Sequence, residues 1–218
     1  MAARLRDTKM SRNDPTHITG EGVMRVLIAC ECSGRVRRAF RGRGFDAWSN
    51  DLKPADDGSP FHIQGDCVAA IIGRRWDLII MHPDCTALAV SGNRWYGKGM
   101  VYHQQRLDAI DWTTALWETA KENADHVAME NPVGVIPMPA TQYIQPWEYG
   151  HGETKKTGLW LHNLPALAPT DIVEGRENRI WKMAPSATRK ADRSITYLGV
   201  ADAMADQWGN YILARLAA

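Results

Sequence analysis

The chain carries two short segments whose residue types could make and break bonds. His82-Pro83-Asp84-Cys85 offers a sulfur nucleophile, and Glu130-Asn131-Pro132 offers a carboxyl acid. Each follows an apolar run with strand character, Trp76 to Met81 before the first and His126 to Met129 before the second. Ligands of an open parallel sheet gather at the carboxyl ends of its strands, which would put Cys85 and Glu130 on one rim, facing one substrate ring. A buried cysteine is usually inert. This one follows a strand, neighbours Asp84 and opens a glycine-bearing loop, so a reactive thiolate is expected. At the edge of a core, desolvation would raise the pKa of Glu130 and suit it to donate a proton.

The elements that must position these groups alternate between strand and helix patterns. Arg25 to Ala29 reads as a buried parallel strand, and Ser33-Gly34 opens a helix through Phe40 and Arg43, with Gly44 as its stop. Phe45 to Ser49 is a second strand, ending at Asn50-Asp51. Gly65-Asp66 closes a short third strand before a helix from Val68; Trp76 to Met81 and Val127 to Met129 are the fourth and fifth. Between the last two lie a loop from Thr86 to Tyr102 and a long helix to about Ala124, in which Ile110, Thr113, Trp117, Ala120 and Ala124 recur at helical spacing. This alternation predicts an α/β, doubly wound, mainly parallel sheet. Beyond Pro132 the chain becomes irregular and rich in Pro, Gly and Trp, except for a strand at Gly158 to Leu161 and a last helix at Val200 to Leu216. Residues 1–23 are polar, basic and aperiodic and read as a disordered leader or tail, leaving one domain over 24–218.

A chain of 218 residues can build one well-cored domain, and its net charge of +1 provides no global basic field, so contact with nucleic acid must come from a local patch. Cys30, Cys32, Cys67 and Cys85, with no signal peptide, read as reduced thiols of a cytoplasmic protein. A Cys-x-Cys pair without a partnering cluster is a poor zinc signature, so no metal is expected. No apolar run reaches membrane-spanning length. Most of the nine tryptophans read as core, with Trp95 the best placed to stack on a nucleobase.

The first turn, Ala29-Cys30-Glu31-Cys32-Ser33-Gly34, has one glycine where a dinucleotide fingerprint has three. Its small residues would let a helix N-terminus approach an anionic group such as a carboxylate. Asp51 suits a ribose diol and Asp66 an adenine amino group. Singly, each acid reads as a solvated loop residue; in register at successive strand ends they favour a nucleoside-containing cofactor.

In order, ACECSG, ND, GD, HPDCTALAVSG, MENP and QWGN resemble the DNA cytosine-5 methyltransferase family, and more closely its short, phage-type branch, over nearly all of 24–218. The resemblance implies a Rossmann-like class I methyltransferase fold with S-adenosylmethionine (AdoMet) as cofactor. The cofactor would lie against Ala29, Cys30, Glu31, Cys32, Ser33, Gly34, Asp51, Leu52, Asp66, Cys67, His82 and Pro83. Asn210 would join them from a returning helix at 199–216. It further implies that Cys85 adds to C6 of a cytosine flipped out of duplex DNA, with Glu130 at N3. Lys155 lies where the family carries a base-contacting arginine strand. Ser91, Arg94 and Trp95 of the loop, with Arg189 and Arg193, would hold the DNA, and Arg179 is a further substitute for the missing arginines. A monomer is expected, and protection of phage or host DNA is the purpose the family suggests.

Three departures from the family pattern matter. Pro-Pro-Cys has become Pro-Asp-Cys, and the Asp84 carboxylate should raise the thiol pKa unless His82 offsets it by bonding to Asp84. The base-contacting arginines are replaced by Lys155 and Thr157. The segment 132–198 has room for only a minimal recognition region, which implies low or short-range sequence selectivity. Two other readings stay open: the same chemistry on a free cytosine nucleotide or RNA, and a catalytically silent module that binds DNA or AdoMet.

Overall fold

The computed structural model describes residues 23–216, so all but the last residue of the expected leader lies outside the described residues. Four strands run parallel from the first half of the chain: β1 (Arg25–Ala29), β2 (Asp46–Asp51), β3 (His62–Gln64) and β4 (Trp76–Met81). β5 (Ala124–Pro132) joins them in parallel, whereas β7 (Thr157–His162) is antiparallel to both β5 and β6 (Gln142–Ile144). The seven strands form one sheet in the order β3-β2-β1-β4-β5-β7-β6. This is the mainly parallel α/β sheet expected above, with two antiparallel pairings at one edge.

Strand alternation sends apolar side chains to both faces of the sheet. Val26, Ile28, Leu78, Ile80 and Ala128 pack with Val36 and Phe40 of α1 (Arg35–Arg41) and with Val200 to Ile212 of the C-terminal helices. Leu27, Ala29, Ile79, Met81, Val127 and Met129 pack on the other face against α2 (Cys67–Ile72) and Leu116, Trp117 and Ala120 of the long helix. The result is three layers. Five tryptophans (48, 76, 117, 160 and 208) are buried in these two cores, as most were expected to be.

Several short elements were not visible in the sequence, and one strand is longer than expected. β6 is too short to alternate, and β5 extends well beyond the Val127 to Met129 core because Ala124 ends the preceding helix and begins the strand. The loop after Cys85 holds α3 (Asn93–Tyr96) before α4 (His103–Asn123); further on, α5 (Arg179–Lys182) and α6 (Arg189–Ser194) interrupt the irregular segment. The last helix is α7 (Leu198–Ala203), a π-type turn at Met204–Trp208 and α8 (Gly209–Leu216). No helix among the described residues is long and apolar enough to cross a membrane.

A buried cation braces the first-turn region. The Arg37 side chain is almost wholly buried and donates to Ser49 Oγ (2.8 Å) and to Asp57, which Arg38 also holds at 2.6 Å. Burial pushes the Asp57 carboxyl up, but the two guanidiniums outweigh it and bring the pKa down to about 2. A depressed acid contributes stability above its unfolded value of 3.8 and loses it as the pH falls towards 2. Arg37→Met removes the buried cation but leaves Asp57 with Arg38, and is expected to cost roughly 1–3 kcal/mol. Urea denaturation at pH 7 measures the loss, and the difference from wild type should shrink on acidification below pH 4.

Candidate functional site

One row of residues crosses the centre of the sheet in register: Asn50 beside Ala29, Ala29 beside Met81, and Met81 beside Met129. The next residue on each strand is therefore Asp51, Cys30, His82 and Glu130, all at the same carboxyl rim. Because β7 runs backwards, Glu130 pairs with Leu159, and the start of β7 brings Thr157 and Lys155 to that same rim. A parallel seventh strand would have sent them to the opposite end.

The loop carrying Cys85 is fastened to the end of β5. Asn131 Nδ2 donates to the Pro83 carbonyl at 2.9 Å, Val90 N to the Val133 carbonyl at 3.1 Å, and Val135 N to the Leu88 carbonyl at 3.0 Å. At Gly134 a Cβ would run into the Leu88 carbonyl, so only glycine allows this approach. Arg106 of α4 is buried under the loop and donates to the Ala87 and Ala89 carbonyls and to Asn93. The two sequence motifs thus form one rigid site.

Glu130 and His82 are a buried pair. His82 Nδ1 lies 3.2 Å from Glu130 Oε2, with side chains only 10% and 12% exposed. Burial pushes the Glu130 carboxyl up, as expected from the sequence. His82, Lys155 and the nearby Thr157 hydroxyl together outweigh that, and its pKa lies below the ordinary carboxyl range. The expectation of a raised, proton-bearing Glu130 is corrected: desolvation acts, but three partners favour the charged form. The Cys85 thiol is shifted the other way. Burial raises its pKa, the charges of Glu130 and Asp84 add to this, and only Lys155 opposes them appreciably.

Asp84 does not bond to His82. It accepts from Thr86 N (2.8 Å) and from Lys190 Nζ of α6 (2.9 Å), and burial is outweighed so that its pKa falls. Lys190 is the site residue that sequence reading missed. Its position, 106 residues from Asp84, carried no local signal. Arg189 and Arg193 share the short α6 with it. Arg179 is occupied elsewhere, donating to Glu153 at 2.8 Å while Tyr197 donates to the other Glu153 oxygen at 2.6 Å. Ser91, Arg94 and Trp95 lie on the exposed surface of the 90–102 segment, where the Arg94 guanidinium stacks 5.1 Å from the Trp95 ring, itself half exposed.

On the β1–β2–β3 side, the first turn is built differently from expectation. Cys30 takes a left-handed φ of 61° and Gly34 a φ of 65°. The α1 amides are not free for a ligand carboxylate, because Glu31 fills that place: its buried carboxylate accepts from Val36 N (2.8 Å), Arg37 N (3.4 Å) and Ser33 Oγ (3.2 Å). Contact with the Cys67 thiol pushes the Cys30 thiol far up, with burial adding to it, so Cys30 does not belong with the reactive groups. Asp51 accepts only from Lys53 N and Asp66 caps α2 by accepting from Ala69 N, leaving acceptor oxygens at the rim; Leu52 beside them is 74% exposed.

Asn210 is not brought to the site. Gly209 packs on the Phe45 ring at the start of β2, and Tyr211 meets His126 near the start of β5, so this part of the helix sits at the opposite end of the sheet. The beginning of the helical run is what reaches the rim. Thr196, Tyr197 and Val200 line a cavity of about 20 Å³ with Glu130, Ile144, Pro146, Lys155 and Thr157. That volume suits one water. A larger depression of about 310 Å³ is bounded by Ile72, Arg74, Lys121 and Asp125 at the far end of the sheet, away from every group described here.

No protein-family model matches the chain, and no curated protein matches it. Solved structures do. One is the Entamoeba histolytica methyltransferase EhMeth, with 10% identity and a TM-score of 0.46 over 72% of this chain and 57% of that one. The S. pombe Dnmt2 methyltransferase has 13% identity and a TM-score of 0.41 over 76% and 56%. The bifunctional kinase-methyltransferase WbdD has 13% identity and a TM-score of 0.42 over 77% and 41%. The chain spans roughly half the length of these proteins.

Proposed function

We propose that this protein transfers a methyl group from AdoMet to C5 of cytosine in DNA through a covalent bond between Cys85 and C6. The observation that carries the reading is the meeting of Cys85, Glu130 and Lys155 at one rim, reached from three separate strand ends. The nucleoside end of the cofactor fits the residues present: Asp51 and Asp66 retain acceptor oxygens, and Leu52 offers exposed apolar surface to a purine. Its carboxylate does not fit the α1 N-terminus, where Glu31 already sits, and must be held elsewhere.

AdoMet supplies an electrophilic methyl group when bound. The chain's own residues do the rest. The Cys85 sulfur adds to C6, Glu130 delivers a proton to N3 to draw off the developing charge while the Lys155 cation lies nearby, and C5 becomes nucleophilic. After C5 is methylated, loss of its proton and expulsion of the sulfur restore the ring. Trp95 and Arg94, with Arg189, Lys190 and Arg193 across the rim, supply the local basic and aromatic surface that the near-neutral chain as a whole does not. The cavity beside Glu130 is too small for a base, so its lining at Ile144, Pro146, Tyr197 and Val200 must open if a base is to enter there.

The test is transfer of labelled methyl from AdoMet to duplex DNA, followed by digestion to nucleosides. Label in 5-methylcytosine is the expected result. Label that appears only with RNA or cytosine nucleotides would move the same chemistry to another substrate, and AdoMet binding without any transfer would leave a silent module.

A further inference from the structure

The two reactive groups of the site are in the wrong protonation states to act alone. A nucleophile needs to lose a proton and Cys85 is held as a thiol; an acid needs to give one and Glu130 is held as a carboxylate. The histidine that could join them is already in place. His82 follows the end of β4, its backbone N–H donates to the Ala29 carbonyl at 3.0 Å, and its Nδ1 meets Glu130 Oε2. The other ring nitrogen, Nε2, is buried and has no hydrogen-bond partner among the described residues. An unpaired buried polar atom destabilises the fold, a cost that a functional site can carry when a ligand or a proton arrives there. The charged and polar groups around this pair are Lys155 and the Thr157 hydroxyl from β7 and its approach, with the Cys85 thiol, Asp84 and Lys190 across the rim.

We propose that His82 and Glu130 form a carboxylate–imidazole pair that takes the proton of the Cys85 thiol and returns it to the substrate base. This rests on the cytosine reading above and adds His82 as its proton-carrying residue. The Sγ–H bond breaks and the proton joins the pair. The Sγ–C6 bond forms as the C5=C6 electrons move into the ring, and the proton passes from Glu130 to N3, with the imidazole refilling the carboxyl. After methylation at C5, the C5 proton goes to solvent as the sulfur leaves, and the N3 proton returns through the pair to Cys85. One proton is released per turnover, as the overall substitution of C–H by C–CH3 requires. Carboxylate support of an imidazole is the arrangement that keeps such a ring oriented and ready to accept a proton.

The variant that tests this is His82→Gln, which keeps polarity and size near Glu130 but cannot carry the proton. Wild-type kcat should be flat across neutral pH, because thiol and base exchange a proton internally. The variant should lose ~10²–10⁴-fold in kcat, with KM for DNA and AdoMet unchanged, and its remaining rate should climb with pH because the thiolate must now come from solvent. His82→Ala should recover part of its rate when imidazole is added. A second readout does not need turnover: alkylation of Cys85 by iodoacetamide at pH 7, located by peptide mass spectrometry, should slow several-fold in His82→Gln. An unchanged kcat and pH profile, or unchanged alkylation in a normally folded variant, would overturn the proposal. If wild type methylates no cytosine, the parent reading fails, and the alkylation result still decides whether His82 accepts the thiol proton.

Discussion

Cys85→Ser is expected to abolish methyl transfer, lowering the rate by a factor on the order of 10⁴ or more, while AdoMet and DNA still bind. A serine hydroxyl cannot reach the anionic form that a thiol reaches, even a thiol whose pKa is pushed up by burial and by the Glu130 and Asp84 charges. The rest of the site does not depend on the sulfur. The loop is held by Asn131, Arg106 and the Val133 and Val135 backbone, so binding should survive. Duplex DNA containing 5-fluorocytosine provides the direct check, because fluorine at C5 blocks the final proton loss. Wild type should be trapped as a covalent complex through Cys85 and the variant should not. A serine variant that retains a tenth of the wild-type rate would remove Cys85 from the mechanism.

Glu130→Gln is the second large effect. It keeps the shape and one hydrogen bond to His82 but removes both the charge and the proton relay. kcat should fall ~10²–10⁴-fold, with little change in DNA affinity because Glu130 is buried beneath the rim. The same substitution should make Cys85 more acidic. Burial is the largest cause of the raised thiol pKa and the Glu130 charge the next, so removing that charge lowers the cost of the thiolate. Two measurements should therefore move in opposite directions: turnover falls, while the pH midpoint of Cys85 alkylation shifts down. A midpoint that stays fixed would mean that Glu130 does not act electrostatically on the thiol, and one that rises would mean that its support of the His82 base outweighs its charge on the thiol.

Asp84 has a physical account that the sequence could not supply. A carboxylate next to a nucleophilic cysteine looked like a disabling change. In the folded chain it is tied to Lys190 and Thr86, and its influence on Cys85 ranks behind burial and Glu130. The cation that compensates it arrives from a short helix far along the chain.

The sequence by itself determined the strand ends. Apolar runs at Arg25–Ala29 and Trp76–Met81 can only be buried strands, and the residues that follow each run must emerge at the carboxyl rim of a parallel sheet. That was enough to expect Cys85, Glu130, Asp51 and Asp66 at one rim, because strand formation is a local consequence of hydrophobic pattern and parallel strands share the direction of their carboxyl ends. Three things only the tertiary structure decided. The reversal of β7 sets Lys155 and Thr157 at the rim rather than the base, and nothing in a six-residue strand encodes its direction. The helical run Leu198–Leu216 crosses from one end of the sheet to the other, so Tyr197 lies at the site while Asn210 does not. The protonation states of Cys85 and Glu130 follow from which charges fold against them, and burial alone predicted the wrong sign for the acid. Periodicity records what a residue's neighbours in the chain require; charge balance in a buried site is set by neighbours that only the fold brings together.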